Sequence, residues 1–377
     1  MNPKIISVFN NKGGVGKTTL TFHLGHALAG LGHRVLMVDL DPQCNLSIYG
    51  VPTERIQSVW DAENSYIDEP GFADTRKVAP PDEFKRLLSD PRTMHFLLKP
   101  TEEGTAELES LPPPITLAPN LDLIPGRLTL HMFEEQISRR WSDAYIGQPL
   151  ALRTLGEIRR LILAYAAEHK YEYCIVDTSP SLGLLNKVAL STVDAFLVPC
   201  APDLFSLYGI RNIGNSLQRW AHEFKTLYTL ISASRRGALP EKMVRFIGYT
   251  IYNAKRRAGA SEWDMAGAHF DYARQIPATI AGHLPSELSA GISEAQLQLP
   301  IGGMSVMHSH NTFPSHAQKY HSPMWELPNL QNLDPLDNPT IQASRQKYYA
   351  TKGAYEAFAA DVISRLDTLA PTQAVQL

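Results

Sequence analysis

The chain has 377 residues, of which 44% are hydrophobic, and its formal net charge at pH 7 is −3. This composition supports one large core and excludes a protein that binds nucleic acid through an overall basic surface, and the sequence has no run of about twenty apolar residues that would predict a membrane-spanning helix. Three cysteines without paired or metal-type spacing, and an N-terminus that leads into an apolar strand rather than a signal peptide, predict a reduced, cytoplasmic protein.

The first predicted element is an apolar strand that leads into a glycine-rich turn and then a helix. The strand pattern covers 4–9, the turn covers 12–19, and leucines at helical spacing begin at Leu20. Glycines allow backbone N–H groups to close around phosphate oxygens, and the helix N-terminus adds a favourable dipole. Lys17 would reach the β- and γ-phosphates, and the Thr18 hydroxyl would ligate Mg²⁺. The turn therefore predicts a site for a nucleoside triphosphate with Mg²⁺, formed by Gly13, Gly14, Val15, Gly16, Lys17, Thr18 and Thr19.

The turn departs from the general phosphate-loop pattern G-x-x-x-x-G-K-[ST]. Asn11 stands at the first glycine position, and a second lysine, Lys12, lies inside the loop. The run K-G-G-V-G-K-T-T resembles the deviant phosphate loop of the ParA/MinD ATPases. The resemblance implies that Lys12 takes part in catalysis by reaching across a dimer interface to the nucleotide of a partner subunit. The alternative is an ordinary solvated loop lysine.

Two carboxylates follow the second predicted strand, which covers 35–38. Asp39 and Asp41 come at its carboxyl end, where open α/β sheets place their ligands. The run resembles the D-x-D-P-Q-G-N motif of the ParA/MinD family, with Cys44 in place of a glycine. The resemblance implies that Asp39 lies near the Mg²⁺ shell and that Asp41 orients the attacking water. The alternative is a pair of aspartates that cap local structure.

A segment longer than the minimal fold requires then runs over 50–114, and we interpret it as an insertion. Helices are predicted over 53–62 and 81–98, with proline-rich breaks at 80–81 and 112–114. The chain then returns to a strand at 119–125, an amphipathic stretch at 128–141 and a long helix at 151–170.

The third motif begins at Tyr171 and contains an apolar strand over 174–176 that again ends in a carboxylate. Asp177 matches a Walker B residue, which holds Mg²⁺ through water. The run from Asp177 resembles the family motif D-T-P-P-S-L-G, with Ser179 as a mild departure. The resemblance implies that Asp177, Thr178 and Pro180 form a second loop that senses phosphate.

The predicted base pocket draws on two later parts of the chain. Strands are predicted over 194–199 and 245–253, and Asn253 lies where the family places a residue that contacts the base. The alternative for Asn253 is an ordinary turn residue. Pro285 and the run over 291–301 resemble the segment that lines the base pocket in ParA proteins, with a longer spacing here. The resemblance therefore implies that Asn253 and Pro285 bind the nucleotide.

A second insertion covers 302–339. It carries four histidines, which are His308, His310, His316 and His321. Histidines at this spacing can bind a metal, but no cysteine or acidic cluster accompanies them, so we expect an irregular surface loop. The last predicted element is a helix from Ala350, whose apolar stripe packs on the sheet.

Local basic clusters stand out against the acidic net charge. The ParA resemblance implies that an ATP-bound dimer binds DNA nonspecifically through such residues, since each phosphate contact releases counterions. The alternative is ordinary solubilising charge. The predicted DNA-binding residues are Arg235, Arg236, Lys255, Arg256 and Arg257.

Three rival functions occur on the same fold. A membrane-surface ATPase of the MinD kind ends in a basic amphipathic helix, whereas 370–377 carries no charged side chain. An electron-transfer ATPase similar to the nitrogenase iron protein needs paired cluster cysteines, which the sequence lacks. A small-molecule kinase or amidoligase needs an acceptor pocket, which the two insertions would have to build.

The motifs together predict an α/β fold with a doubly wound, mostly parallel sheet flanked by helices, in a single P-loop NTPase domain over 1–377. The resemblance implies a Mg²⁺-dependent ATPase that hydrolyses ATP to ADP and phosphate and forms an ATP-dependent homodimer. It also implies nonspecific DNA binding, partition of DNA or another cargo, and activation by a ParB-like or other partner protein at the nucleoid, with no integral membrane association. The alternative is an ATP-switched platform for a protein effector, or a membrane-surface positioning ATPase, without DNA binding.

Overall fold

The computed structural model of the protein describes residues 2–240 and 242–369. The strands are β1 Lys4–Val8, β2 Val35–Asp39, β3 Ile115–Ala118, β4 Leu121–Ile124, β5 Tyr173–Asp177, β6 Ala195–Cys200 and β7 Arg245–Ile251. They form one sheet in the order β3-β4-β2-β5-β1-β6-β7, in which every pair is parallel except the edge pair β3–β4. The predicted doubly wound, mostly parallel sheet is confirmed. The short antiparallel edge strand β3 was not predicted.

The helices cover both faces of this sheet. They are α1 Lys17–Gly30, α2 Asn45–Gly50, α3 Thr53–Ile67, α4 Phe72–Val78, α5 Pro81–Leu88, α6 Met94–Glu102, α7 His131–Tyr145, α8 Pro149–His169, α9 Leu184–Thr192, α10 Leu204–Leu230, α11 Gly267–Ala273, α12 Ile276–His283, α13 Ser286–Ser289, α14 Glu294–Gln298, α15 Phe313–Lys319, α16 Asn338–Ala343 and α17 Arg345–Asp367, with 3₁₀ turns at Leu128–Leu130, Ala233–Arg235 and Met324–Asn329. None of these helices is long and apolar enough to cross a membrane. The segment 370–377, which the sequence argument compared with a membrane-binding tail, lies outside the described residues.

The central strands β1, β2 and β5 are mostly apolar and are buried along nearly their whole length because both faces of the sheet are covered. Alternate side chains of β1 and of the residue after it enter different cores: Ile6 and Val8 pack with α1 and α17, whereas Ile5 and Phe9 pack with the helices of the opposite face. This double burial fixes the register of the strands, so their carboxyl ends lie at one edge.

The first inserted segment, 50–114, is helical and has its own aromatic cluster. The rings of Tyr66, Phe72, Phe84 and Phe96 lie with their centroids 5.7–6.2 Å apart. The helix predicted over 81–98 is in fact two helices, α5 and α6. The break comes before Pro91, since a proline disfavours helical backbone in the preceding residue.

The second inserted segment, 302–339, is not the irregular surface loop that the sequence predicted. It contains α15, and its Met324, Trp325 and Leu327 are buried in the core that α1 and α17 share. Large apolar side chains interspersed among the polar ones provide the burial energy that an exposed loop lacks. The segment is therefore part of the core beside the phosphate loop.

The histidines of this segment contact separate groups. His308 Nε2 lies 3.0 Å from the carbonyl oxygen of Trp263, and His316 Nδ1 lies 2.6 Å from the hydroxyl of Tyr348. The side chain of His310 is partly buried, and this burial lowers its pKa to about 4. These side chains are thus built into the packing of the segment.

Candidate nucleotide-binding site

The glycine-rich turn joins the carboxyl end of β1 to the N-terminus of α1. Gly14 and Gly16 have φ values of 73° and 81°, which L side chains rarely adopt. A Cβ atom at Gly16 would lie 2.3 Å from the ring of Tyr252, so only glycine lets the loop approach that ring. The turn therefore forms a tight loop of backbone amides at a helix N-terminus, which is an arrangement that binds phosphate.

Asn10 supports this turn from inside the protein, although none of the sequence motifs had indicated this residue. Its Nδ2 donates to the carbonyl oxygen of Pro199 at 2.7 Å, and its Oδ1 accepts from the backbone N–H of Lys12 at 2.9 Å. Because Asn10 is fully buried, these bonds fix the loop relative to β6. The only signal in the sequence was a polar residue between an apolar strand and the glycines.

A cavity of about 350 Å³ opens over the turn. Six of the seven predicted loop residues line it, and Val15 is instead buried. The lining residues are Gly13, Gly14, Gly16, Lys17, Thr18, Thr19, Asp41, Asn45, Tyr49, Pro180 and Gln318. The fold thus brings the phosphate loop together with Asp41, and it adds side chains that the motifs did not indicate.

The buried carboxylates come from neighbouring strands. Asp39 and Asp177 are the last residues of β2 and β5, and the register pairs them directly. The Thr18 hydroxyl donates to Asp177 Oδ2 at 2.8 Å. Asp39 accepts from both the backbone N–H and the hydroxyl of Ser47, at 2.8 and 2.6 Å. The parallel sheet therefore gathers the three predicted metal-site residues at one edge.

Asp41 lies on the cavity side of this group. Its Oδ1 accepts from the backbone N–H of Gln43 at 2.9 Å, and its Oδ2 accepts from Asn45 Nδ2 at 3.1 Å. These two bonds fix the orientation of the carboxylate toward the cavity. Asp41 is therefore held at the cavity wall by these local hydrogen bonds, although its side chain is largely buried.

The charge balance of the buried groups indicates a cation. Burial, together with the charge of Asp39, raises the pKa of Asp177 to about 8, and burial raises the pKa of Asp39 to about 7. Burial lowers the pKa of Lys17, against the attraction of Asp177 and Asp41. Asp177 Oδ1 is buried and has no hydrogen-bond partner within the described ranges. A hydroxyl beside a carboxylate oxygen that lacks a partner fits Mg²⁺, which prefers oxygen ligands.

Lys12 lies at the outer rim of the site. Its ammonium group forms an ion pair with Asp203, the N-cap residue of α10, and lies 5.7 Å from the ring centre of Phe205. Asp203 also accepts from the backbone N–H of Ser206 at 2.9 Å. Although partial burial opposes it, the hydrogen bond from Lys12 lowers the pKa of Asp203. In the isolated chain, Lys12 is therefore held by its own subunit.

Comparison with known proteins identifies the family of this chain. The sequence profile of a family described as AAA domain matches residues 3–228, which is more than half of the chain. The chain belongs to this family. It is a ParA/MinD-type P-loop ATPase.

Curated relatives of this ParA/MinD-type ATPase include bacterial partition proteins. The sporulation initiation inhibitor protein Soj of Bacillus subtilis is 31% identical over 215 residues, which are 57% of this chain and 65% of Soj. The chromosome partitioning protein ParA of Caulobacter vibrioides is 27% identical over 221 residues, 58% of this chain and 64% of ParA. The matched region is thus less than two thirds of the length of each relative.

Solved structures share the fold over a larger part of the chain. Protein DIP2308 of Corynebacterium diphtheriae is 27% identical, with a TM-score of 0.56 over 77% of this chain and 90% of that protein. The pNOB8 ParA bound to nonspecific DNA is 16% identical, with a TM-score of 0.52 over 97% of this chain and 99% of ParA. At that identity, the second likeness shows the common fold alone.

The two residues predicted for base contact lie in different places in this ParA/MinD-type ATPase. Asn253 is exposed, has a φ of 65° and directly follows Tyr252, whose ring packs against Gly16. Pro285 precedes α13, where the carbonyl oxygen of Glu287 accepts from Arg245 at the start of β7. Asn253 therefore lies at the nucleotide edge of the sheet. Pro285 lies toward the opposite edge and does not line the cavity.

The predicted DNA-binding residues also separate into two groups. Arg235 and Arg236 lie between α10 and the start of β7, whereas the cluster Lys255–Arg257 follows the end of β7. The length of β7 therefore separates them, and only Lys255–Arg257 share the sheet edge of the phosphate loop. Arg236 donates to the carbonyl oxygens of Tyr228 and Ile231 at 2.7 and 3.2 Å, so it caps the end of α10.

Proposed function

We propose that this protein is a Mg²⁺-dependent ATPase that dimerises with ATP, holds DNA nonspecifically in that state and releases it after a partner protein triggers hydrolysis. The observation that carries the proposal is that Lys17, Thr18 and Asp41 line one cavity above the phosphate loop, where the Thr18 hydroxyl also donates to the buried Asp177. The cargo is DNA or another assembly, and the protein acts in the cytoplasm at the nucleoid.

The residues of the cavity divide the chemistry among them. The loop amides and Lys17 hold the phosphates, and Thr18 with Asp177 and Asp39 would hold Mg²⁺, which neutralises charge that develops on the phosphates. Asp41, fixed by Gln43 and Asn45, orients the attacking water. Hydrolysis then depends on the position of this water more than on nucleotide affinity.

The dimer interface would lie at the rim of the cavity around Lys12. Leu204, Phe205 and Tyr208 are 45%, 72% and 56% exposed beside the Lys12–Asp203 ion pair. Exposed apolar groups around a phosphate-binding lysine suit the docking of a second subunit. For Lys12 to reach the nucleotide of the partner, its ion pair with Asp203 must open.

Replacement of Asp41 tests the catalytic part of the proposal. The Asp41→Ala variant should bind ATP and accumulate as a dimer, while its hydrolysis rate falls by about 10²- to 10⁴-fold. Light scattering with ATP and with ADP measures the dimer, and phosphate release measures the rate. Glu168→Ala, at an exposed position on α8, is the control. A wild-type rate in Asp41→Ala would remove this residue from the mechanism.

Lys12→Ala tests whether this lysine acts across the interface. The variant should lose the ATP-dependent dimer or its productive hydrolysis, because the charge that neutralises the phosphates of the partner is gone. Asp203→Asn should shift the equilibrium the other way, since asparagine keeps the N-cap acceptor but releases Lys12. A fully active ATP-dependent dimer of Lys12→Ala would contradict this role.

DNA binding is tested in the Asp41→Ala background, where hydrolysis does not intervene. Binding should require ATP, ignore sequence and weaken with salt, because phosphate contacts release counterions. Lys255→Glu with Arg257→Glu should weaken binding evenly across sequences, and Lys85→Glu, on the exposed side of α5, should not. Absence of DNA retention at low salt would favour the alternative, an ATP-switched platform whose inserted segments bind a protein effector.

A further inference from the structure

Helix α15 of the second inserted segment forms one wall of the nucleotide cavity. Gln318, in its last turn, lines the cavity together with Thr19 and Tyr49, and it is exposed there. No motif placed any residue of 302–339 in this site. The segment is thus a structural part of the cavity.

The position of α15 is fixed from two sides. The Tyr49 hydroxyl donates to the carbonyl oxygen of Pro314 at 2.9 Å, and His321 Nδ1 donates to the carbonyl oxygen of Tyr49 at 3.2 Å. On the other side, the ring of Phe313 stacks on that of Tyr348 of α17, with centroids 3.7 Å apart. Contacts at both ends hold Gln318 in place, so its amide is available without rearrangement of the helix.

The cavity has two distinguishable ends. Asn45 and Tyr49 lie on successive turns of α2, since they are four residues apart. Asn45 donates to Asp41, whereas Tyr49 donates to α15. The wall formed by α2 therefore runs from the Asp41 end, where the terminal phosphate reacts, to the Gln318 end.

We propose that the side-chain amide of Gln318 hydrogen-bonds the nucleoside part of the bound nucleotide and helps to select ATP over bare polyphosphate. This inference rests on the proposed ATPase function. An amide offers both a donor and an acceptor, which matches sugar hydroxyls and base edges. A contact of this kind adds affinity for the nucleoside, while the loop amides and Lys17 provide the affinity for phosphate.

Calorimetric binding of two probes tests the proposal in the full chain. The probes are Mg²⁺ with the non-hydrolysable ATP analogue AMPPNP, and Mg²⁺ with tripolyphosphate. Gln318→Ala should weaken AMPPNP binding by roughly three- to tenfold, the effect of one lost hydrogen bond, and leave tripolyphosphate binding unchanged. Ser315→Ala, at an exposed position on the same helix that does not line the cavity, should bind both probes as the wild type does.

The two proposals fail in different ways. Wild-type affinity of Gln318→Ala for AMPPNP, or an equal loss of affinity for both probes, overturns the role of Gln318 but leaves the ATPase proposal intact. A wild-type protein that binds neither probe overturns the proposed function itself. Because Gln318 is exposed, thermal unfolding of Gln318→Ala should match that of Ser315→Ala, which separates a lost contact from lost folding.

Discussion

The two inserted segments pack against different parts of the molecule. The first, 50–114, packs its aromatic rings against one another and joins the core on the face of α7–α9. The second, 302–339, fills the core behind α1 and reaches the nucleotide cavity through Gln318. The sequence predicted two helices in the first segment and an irregular surface loop for the second, and it placed no residue of either in the site. The comparison shows that a segment outside the motifs can still complete the site.

The first segment reaches the site only indirectly. Trp60 Nε1 donates to the carbonyl oxygen of Gly126 at 3.0 Å, and the N–H of Gly126 donates to the hydroxyl of Ser47, which binds Asp39. By contrast, the second segment contacts the phosphate-loop helix itself. His23 of α1 donates through Nδ1 to Thr19 O at 2.7 Å, and its Nε2 accepts from Met324 N at 3.2 Å. Changes in the two segments should therefore affect different properties.

The largest expected effect is a loss of nucleotide affinity when the phosphate-loop lysine is removed. Lys17→Ala should weaken Mg²⁺–ATP binding by about 100-fold or more, because a charge-assisted contact to phosphate is lost. Since Lys17 lies at the cavity rather than in the packing of either segment, denaturant unfolding should remain cooperative. Equilibrium dialysis of Lys17→Ala and of the control Lys85→Ala measures the difference. Near-normal affinity in a folded Lys17→Ala protein would refute the phosphate-loop assignment.

The second prediction concerns the core of the first segment. Phe84→Ala should lower the free energy of unfolding by about 3–5 kcal/mol, because a buried ring leaves a cavity. Nucleotide affinity of the folded protein should not change. Denaturant titration with and without ATP tests this, and Val78→Ala, at a position 80% exposed on α4, is the control. A loss of ATP affinity in Phe84→Ala would show that the first segment also acts on the site.

The third prediction concerns the anchor of the second segment. Tyr49→Phe removes the hydroxyl that donates to Pro314, so stability should fall by about 1 kcal/mol. ATP affinity should fall as well, by roughly two- to fivefold, because α15 is then held less firmly beside the cavity. Tyr272→Phe, which removes a hydroxyl on α11 away from the rim around Lys12, is the matched control. Equal ATP affinity in the two variants would remove the distinction between the inserted segments.

The last prediction is a pH dependence in the first segment. Burial raises the pKa of Glu63 to about 7, although Thr93 donates to it at 2.6 Å. The folded chain therefore binds a proton that the unfolded chain releases near pH 4.5, so this group stabilises the fold below that pH and its contribution falls as the pH rises toward 7. Glu63→Gln should flatten this decline in denaturant titrations, whereas Glu54→Gln, exposed on the same helix, should not. An unchanged slope in Glu63→Gln would contradict the assignment.

Part of the site could be predicted because its residues either form one continuous run of sequence or lie at the ends of neighbouring parallel strands. The glycine turn, Lys17 and Thr18 form one continuous run, and the carboxyl ends of parallel strands share an edge, which brings Asp39 beside Asp177. The base-pocket residues were harder to predict. The spacing that suggested Pro285 carries no information on which edge of the sheet the helices after β7 approach.

By itself, the sequence determined the doubly wound sheet, the phosphate loop and the carboxylates at its edge, since burial on both faces and backbone sterics encode them locally. Only the tertiary structure decided which distant side chains complete the site. Asp203 meets Lys12 across 191 positions, and the hydroxyl of Tyr49 meets Pro314 across 265. Such contacts depend on how helices pack over the sheet, and packing is set by the summed burial of many residues rather than by any one motif.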